Sequence, residues 1–136
     1  MHVDAVAAKK RILVVDDEPL IGAVLQRILG AEHDVAAVQS GREALAAIAL
    51  QPYDLILCDL IMPGMTGMEL HAQLTARPDA HASRMVFLTG GAVSPQAHAF
   101  LQGLPGRCID KPFNSDELRI MIRAFVASEG AILSSR

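Results

Sequence analysis

A chain of 136 residues, 51% of them hydrophobic, suffices for one compact domain around a single buried core and leaves little for a second. Its 12 basic and 15 acidic side chains give a net charge of -3, and the longest basic block, Lys9-Lys10-Arg11, is no nucleic-acid footprint. The longest apolar stretches, such as Ala44 to Leu50, fall far short of the ~18 to 20 residues that span a bilayer, and the N-terminus lacks the apolar core of a signal peptide. A cytoplasmic protein without membrane contact is expected.

In chain order, residues 1–10 carry little pattern and read as a tail or linker, residues 11–128 as the domain, and residues 129–136 as a C-terminal tail. Five short apolar runs recur: Arg11 to Val15, Asp34 to Val38, Leu55 to Cys58, Met85 to Leu88, and Cys108 to Ile109. Helical periodicity lies between them. Leu20, Ile21, Val24, Leu25, Ile28 and Leu29 mark the first helix, and Leu118, Met121, Ile122, Phe125 and Val126 the last. Ser40-Gly41-Arg42-Glu43, Thr66-Gly67-Met68-Glu69 and Asn114-Ser115-Asp116-Glu117 each read as an N-cap with an acid at the third helical position, and Ser94-Pro95 as a fourth start. Strands that are continuously apolar and separated by helices argue for a parallel sheet covered on both faces, hence an α/β, doubly wound (βα)5 fold. Cys58 and Cys108 sit in apolar runs without CxxC spacing and read as reduced core thiols. His2, His33, His71, His81 and His98 lack metal-ligand spacing and read as surface residues.

In an open parallel sheet, ligands bind beyond the carboxyl ends of the strands. Asp16 and Asp17 follow the first run, Asp59 the third, Thr89 the fourth and Lys111 the fifth, whereas the second ends in Gln39-Ser40, as suits an edge strand away from the site. Taken singly, Asp16-Asp17 reads equally as a helix cap, and Thr89 as the end of a strand. Together they gather three carboxylates, which repel and raise one another's pKa unless a cation joins them. An oxygen-only site with few ligands suggests Mg2+. A carboxylate nucleophile, a metal, a hydroxyl and an ammonium are what formation of an aspartyl phosphate requires. Asp59 attacks phosphorus, Lys111 and Mg2+ offset charge on the transferring oxygens, and Thr89 hydrogen-bonds one of them.

Ile12-Leu13-Val14-Val15-Asp16-Asp17-Glu18, the segment from Asp54 through Asp59-Leu60-Ile61-Met62-Pro63-Gly64 to Gly67, Leu88-Thr89-Gly90-Gly91 and Lys111-Pro112-Phe113 occur in the order and on the strand pattern of response-regulator receiver domains, which this chain resembles over nearly all of Arg11 to Val126. The resemblance implies a flavodoxin-like three-layer sandwich with a five-stranded sheet of order 2-1-3-4-5. It implies Mg2+ held by Asp17, Asp59 and the backbone carbonyl of Ile61, with Asp16 acting through water. It implies Asp59 as phosphoacceptor, Lys111 before a cis peptide to Pro112, and a histidine kinase or histidine phosphotransfer protein as partner. Such a domain is not an independent enzyme, although it catalyses its own phosphotransfer and autodephosphorylation. Without a DNA-binding segment after Val126, the chain is expected to be a single-domain regulator or a receiver from a larger protein. The segments 85–91 and 108–113 and the Pro105-Gly106 loop are similar to receivers at the C-termini of hybrid histidine kinases.

Two other classes are weighed on single positions. A haloacid-dehalogenase-type hydrolase places a second acid two residues after its aspartyl nucleophile, where Ile61 stands here. A flavodoxin-type cofactor carrier would meet acidic Asp16-Asp17-Glu18 where the flavin phosphate belongs. Ile61 and Gly91 offer no polar side chain to position an attacking water, so a long-lived phosphoryl group is expected. The chain departs from the receiver pattern at Cys108, where a Tyr or Phe usually moves inward as the Thr or Ser hydroxyl closes on the phosphate. A thiol is too small to sweep that way, so weak coupling of Thr89 to the face made by the fourth helix, fifth strand and fifth helix, and a monomer or weak dimer, are expected. Should another residue supply the moving bulk, Phe100 and Phe113 are the alternatives.

Overall fold

Alternate residues of each central strand feed two separate cores. The computed structural model describes residues 9–91 and 93–134, with residues 128–134 as backbone only. Its elements are β1 (Arg11–Val15), α1 (Pro19–Leu29), β2 (Asp34–Val38), α2 (Gly41–Leu50), β3 (Leu55–Asp59), α3 (Gly67–Thr75), a 3-10 turn (His81–Arg84), β4 (Met85–Gly90), α4 (Pro95–Gln102), β5 (Cys108–Lys111) and α5 (Ser115–Ser134). All strand pairings are parallel, in the order β2-β1-β3-β4-β5. The doubly wound (βα)5 architecture is therefore the one expected, with β2 at an edge and β1 and β3 central.

On one face, Leu13, Val15, Ile56, Cys58, Met85 and Phe87 pack against Ala44 and Ile48 of α2, Leu70 and Leu74 of α3 and Ala97 of α4. On the other, Ile12, Val14, Leu55, Leu57, Val86, Leu88 and Ile109 meet Leu25, Ile28 and Leu29 of α1 and Leu118 and Ile122 of α5. Successive side chains of a strand point to opposite faces, so a strand covered on both faces must be apolar throughout. That is why the runs read as continuous rather than alternating. Burying each Leu or Ile completely is worth about 1.5–3 kcal/mol, so the two cores hold most helices firmly. α4 is the exception: Ala97 is its one fully buried residue, with Phe100 and Leu101 half-buried against the same core.

The helix starts follow their caps. Ser40 Oγ and Ser94 Oγ accept from the N–H groups of Glu43 and Ala97, and Asn114 Oδ1 accepts from that of Glu117. Thr66 and Glu69 close a reciprocal capping box at 3.1 and 2.8 Å. α1 has no side-chain cap and starts instead on Pro19, whose fixed φ suits the first turn. Its apolar stripe is wider than the contact it makes: Leu25, Ile28 and Leu29 are buried, whereas Leu20 and Val24, on the flank, stay exposed. At about 100° per residue, adjacent stripe positions cannot all face one core. α5 runs to Ser134.

The expectation for the histidines is corrected at two positions. His33 and His81 are 8% and 4% exposed, His71 packs its ring against Phe87 and Phe100, and His98 is exposed. His2 lies outside the described residues. His81 is buried because its Nε2 accepts the backbone N–H of Tyr53, which enters β3 after Pro52 and has no strand partner. Its Nδ1 lies 3.0 Å from Asp79 Oδ1, off the line of a hydrogen bond. Both ring nitrogens of His33 are buried without a hydrogen-bond partner, and burial holds that ring's pKa below the ordinary value. Spacing alone reveals neither contact. As read from the sequence, Cys58 and Cys108 are free thiols, the first buried and the second half-buried.

The chain reverses after β3 in so little space that α3 begins directly beneath Asp59. Gly67 donates its N–H to the Leu60 carbonyl at 2.9 Å. A Cβ there would stand 2.6 Å from the Asp59 carbonyl oxygen and 3.1 Å from Leu60 Cα. Both neighbours are backbone and cannot turn aside. Gly67→Ala is expected to destabilise the domain by about 1–3 kcal/mol, measured as a lower urea midpoint at unchanged m-value.

Candidate functional site

The carboxyl ends of β1, β3, β4 and β5 meet at one edge of the sheet, bringing together the side chains singled out in the sequence. Asp16, 1% exposed, follows β1; its Oδ1 accepts the N–H of Glu18 at 2.9 Å and its Oδ2 accepts from Lys111 Nζ at 3.1 Å. Asp59 ends β3, and its Oδ1 lies 3.6 Å from the same ammonium. Asp17 completes the group: ligand oxygens of Asp16, Asp17 and Asp59 all lie within 4.8 Å of one another. Lys111 ends β5, and its peptide bond to Pro112 is cis, as expected. A cleft of about 290 Å³ opens beside these groups, lined by Asp59, Ile61, Thr89, Lys111 and Glu18 among others. A larger cavity, of about 330 Å³, is lined by His71, Met85 and Arg107 and includes none of the candidate residues.

One ammonium faces three carboxylates. Burial first, then repulsion from Asp16, pushes the Asp59 carboxyl up from its ordinary 3.8 to about 6, against the opposing pull of Lys111 and of the Ile61 backbone N–H. Burial works to lower the Lys111 pKa, but the hydrogen bond to Asp16 and the negative charges of Asp59 and Glu18 outweigh it, so the net shift is upward. The lysine therefore stays charged, yet cannot balance the group. An all-oxygen donor set with excess negative charge suits a hard divalent cation.

Thr89 is buried in β4, 7% exposed, and its Oγ1 hydrogen-bonds Asp110 Oδ1 at 3.0 Å and lies 3.4 Å from Cys108 Sγ. It lines the cleft through β4 while bonding to β5. Cys108, which stands where a moving ring is usual, is in direct contact with this hydroxyl. Of the alternative bulky residues, Phe100 stacks edge-on against Phe87, on the same face as Cys58, whereas Phe113 packs in the opposite core with α1 and α5. Sequence reasoning gives Asp110 no role. The pairing of Thr89 with Asp110 across β4 and β5 becomes visible only once strand register is known.

Topology and site together define a flavodoxin-like α/β domain with an acidic, lysine-bearing cleft at the carboxyl edge of its sheet. Residues 12–123 match the family model of the response regulator receiver domain. The chain belongs to that family, the receivers of two-component signalling. It is 40% identical over 115 residues to the transcriptional regulatory protein TcrA of Mycobacterium tuberculosis (strain ATCC 25618 / H37Rv), a match covering 84% of this chain and 45% of that protein. The chain thus spans about half the length of the curated relatives it matches. Among solved structures, the signal receiver domain of a signal transduction histidine kinase from Syntrophus aciditrophicus aligns at 28% identity and TM-score 0.76, over 88% of this chain and 91% of that one. The receiver domain of a sensor histidine kinase from Pseudomonas aeruginosa PAO1, described with a magnesium ion coordinated in its active-site cleft, aligns at 26% identity and TM-score 0.75, over 88% and 99%. Receivers of this family bind Mg2+ at such an acidic pocket.

The charge imbalance has a measurable consequence. Because the folded-state pKa of Asp59 is raised, the folded protein holds the proton more tightly than the unfolded chain does, and stability falls as pH rises from the ordinary 3.8 through about 6. In EDTA, Asp59→Asn should therefore melt higher than the wild type above pH about 6. The gain, on the order of 1–2 kcal/mol after allowance for solvent screening, should vanish as pH falls toward 3.8. Thermal melts of both proteins across this range check the sign and the window.

Proposed function

We propose that Asp59 accepts a phosphoryl group from the phosphohistidine of a histidine kinase or histidine phosphotransfer protein. The observation that carries this reading is the position of Asp59 at the end of a central strand, 3.6 Å from Lys111 Nζ and clustered with Asp16 and Asp17. An Asp59 carboxylate oxygen forms the new bond to phosphorus as the bond between phosphorus and the donor imidazole breaks, and the electron pair leaves with the imidazole. Lys111 offsets charge on the transferring oxygens, and the Thr89 hydroxyl hydrogen-bonds one of them. Asp17, Asp59 and the backbone carbonyl of Ile61 would hold Mg2+, with Asp16 acting through water. Bound there, the ion supplies the positive charge that lets a carboxylate cluster receive a phosphoryl dianion.

The reaction belongs in the cytoplasm, and no helix among the described residues is long and apolar enough to cross a membrane. Two of the similar structures are receivers of histidine kinases, which supports the hybrid-kinase parentage expected from the segments 85–91 and 108–113. The curated relatives named as transcriptional regulators support the other parentage, a receiver joined to a DNA-binding output. The reading frame on either side of residues 1 and 136 distinguishes the two.

Incubation with acetyl phosphate or a phosphorylated kinase should give a hydroxylamine-labile adduct that maps to Asp59 and requires Mg2+. Full incorporation into Asp59→Asn, or incorporation that survives EDTA, would rule the reading out. The lifetime of the adduct is a separate matter. Ile61 is 57% exposed at the rim of the cleft, and Gly91 has no side chain. An Ile61→Asn amide could hydrogen-bond an incoming water, and should speed spontaneous dephosphorylation about three- to tenfold. The decay rate of the radiolabelled adduct in the two proteins measures this, and an unchanged or slower rate counts against it.

A further inference from the structure

In this structure Thr89 directs its hydroxyl to the neighbouring strand. Its Oγ1 donates to Asp110 Oδ1 at 3.0 Å and lies 3.4 Å from Cys108 Sγ. The placement follows from register: in the parallel pair of β4 and β5, Thr89 stands opposite Asp110 and Phe87 opposite Cys108, so Cys108, Thr89 and Asp110 project from one face. A hydroxyl has one proton, and a carboxylate can only accept. The proton between Thr89 and Asp110 is therefore the threonine's, and the Cys108 thiol is left to donate to Oγ1. The result is a chain of donors running from Cys108 through Thr89 to Asp110, all on the side of β4 that faces β5.

We propose that Asp110 is a positioning residue that holds the Thr89 hydroxyl in an off orientation, so that phosphorylation of Asp59 must break the Thr89–Asp110 hydrogen bond before Thr89 can donate to a phosphoryl oxygen. This deepens the reading of Asp59 as phosphoacceptor and rests on it. One proton cannot serve both acceptors, and the phosphoryl group must therefore compete with a carboxylate already in place. Asp110 is exposed at the sheet edge, so replacing it opens no core and leaves Asp59, Lys111 and the acidic cluster as they are. Its contribution is a threshold. The phosphorylated or phosphate-mimicking state forms less readily in the presence of the latch than in its absence.

The test is titration calorimetry of the full chain with beryllofluoride and Mg2+, using wild type, Asp110→Ala, Asp110→Asn, Thr89→Val and the double variant Thr89→Val/Asp110→Ala. Asp110→Ala should bind about five- to tenfold more tightly than wild type, the worth of one competing hydrogen bond. Asp110→Asn keeps an acceptor oxygen and should stay within about twofold of wild type. In the Thr89→Val background, Asp110→Ala should bring no gain, because the latch has nothing to hold. The proposal is overturned if Asp110→Ala binds like wild type, if Asp110→Asn tightens binding as much as Asp110→Ala does, or if the gain persists without the Thr89 hydroxyl. The last two results would mean that the charge of Asp110 acts through space. Failure of the wild type itself to bind beryllofluoride with Mg2+ would instead bring down the phosphoacceptor reading of Asp59.

Discussion

The Lys111 ammonium is shared between Asp16 at 3.1 Å and Asp59 at 3.6 Å, and Asp17 lies alongside. Like charges at this separation, partly removed from water, repel by several kcal/mol. The fold tolerates the arrangement because Asp16 and Asp59 are tied down elsewhere. Asp16 accepts a backbone N–H from the start of α1, Asp59 accepts one from Ile61, and both cores beneath the sheet edge are closely filled. The site is thus assembled at the expense of local stability, as is common where charged groups are clustered for function.

The parallel sheet with order β2-β1-β3-β4-β5 makes this convergence possible. All strands point the same way, so their carboxyl ends share one edge, and the residue following each strand is delivered to it. β2, at the far edge, contributes nothing to the cleft, whereas the carboxyl ends of β1, β3, β4 and β5 each deliver a side chain to the acidic cluster or the cleft beside it. The tight reversal at Gly67 keeps α3 close beneath Asp59, and the Thr66–Glu69 box fixes where that helix starts. Sequence features that look like ordinary punctuation therefore set the position of the Asp59 carboxylate.

What could be read in the chain beforehand depended on interactions that are local or periodic. Strands buried on both faces announce themselves as unbroken apolar runs, and caps such as Ser40 and Thr66 act within one turn, so both were legible. Asp16, Asp17, Asp59, Thr89 and Lys111 stand out because each lies directly after an apolar run. The rest depended on pairings between distant parts of the chain. His81 is buried to satisfy Tyr53, far from it in sequence; Leu20 is exposed because of how α1 rolls against the sheet; Asp110 matters through its register with Thr89. None of these leaves a mark on its own neighbours in the chain.

The shallow anchoring of α4 puts Thr89 in an unusual energetic setting. Helices α1 and α3 are pinned by several fully buried Leu and Ile side chains, but α4 seats one methyl group, that of Ala97, and leans on two half-buried residues. Making or breaking one hydrogen bond at Thr89, worth about 1 kcal/mol, is negligible against the first kind of attachment and commensurate with the second. Among the described helices, α4 is the one whose buried attachment stands nearest that energy scale. α4, which follows β4, is thus the helix with the least buried apolar anchoring to oppose a change at the end of that strand.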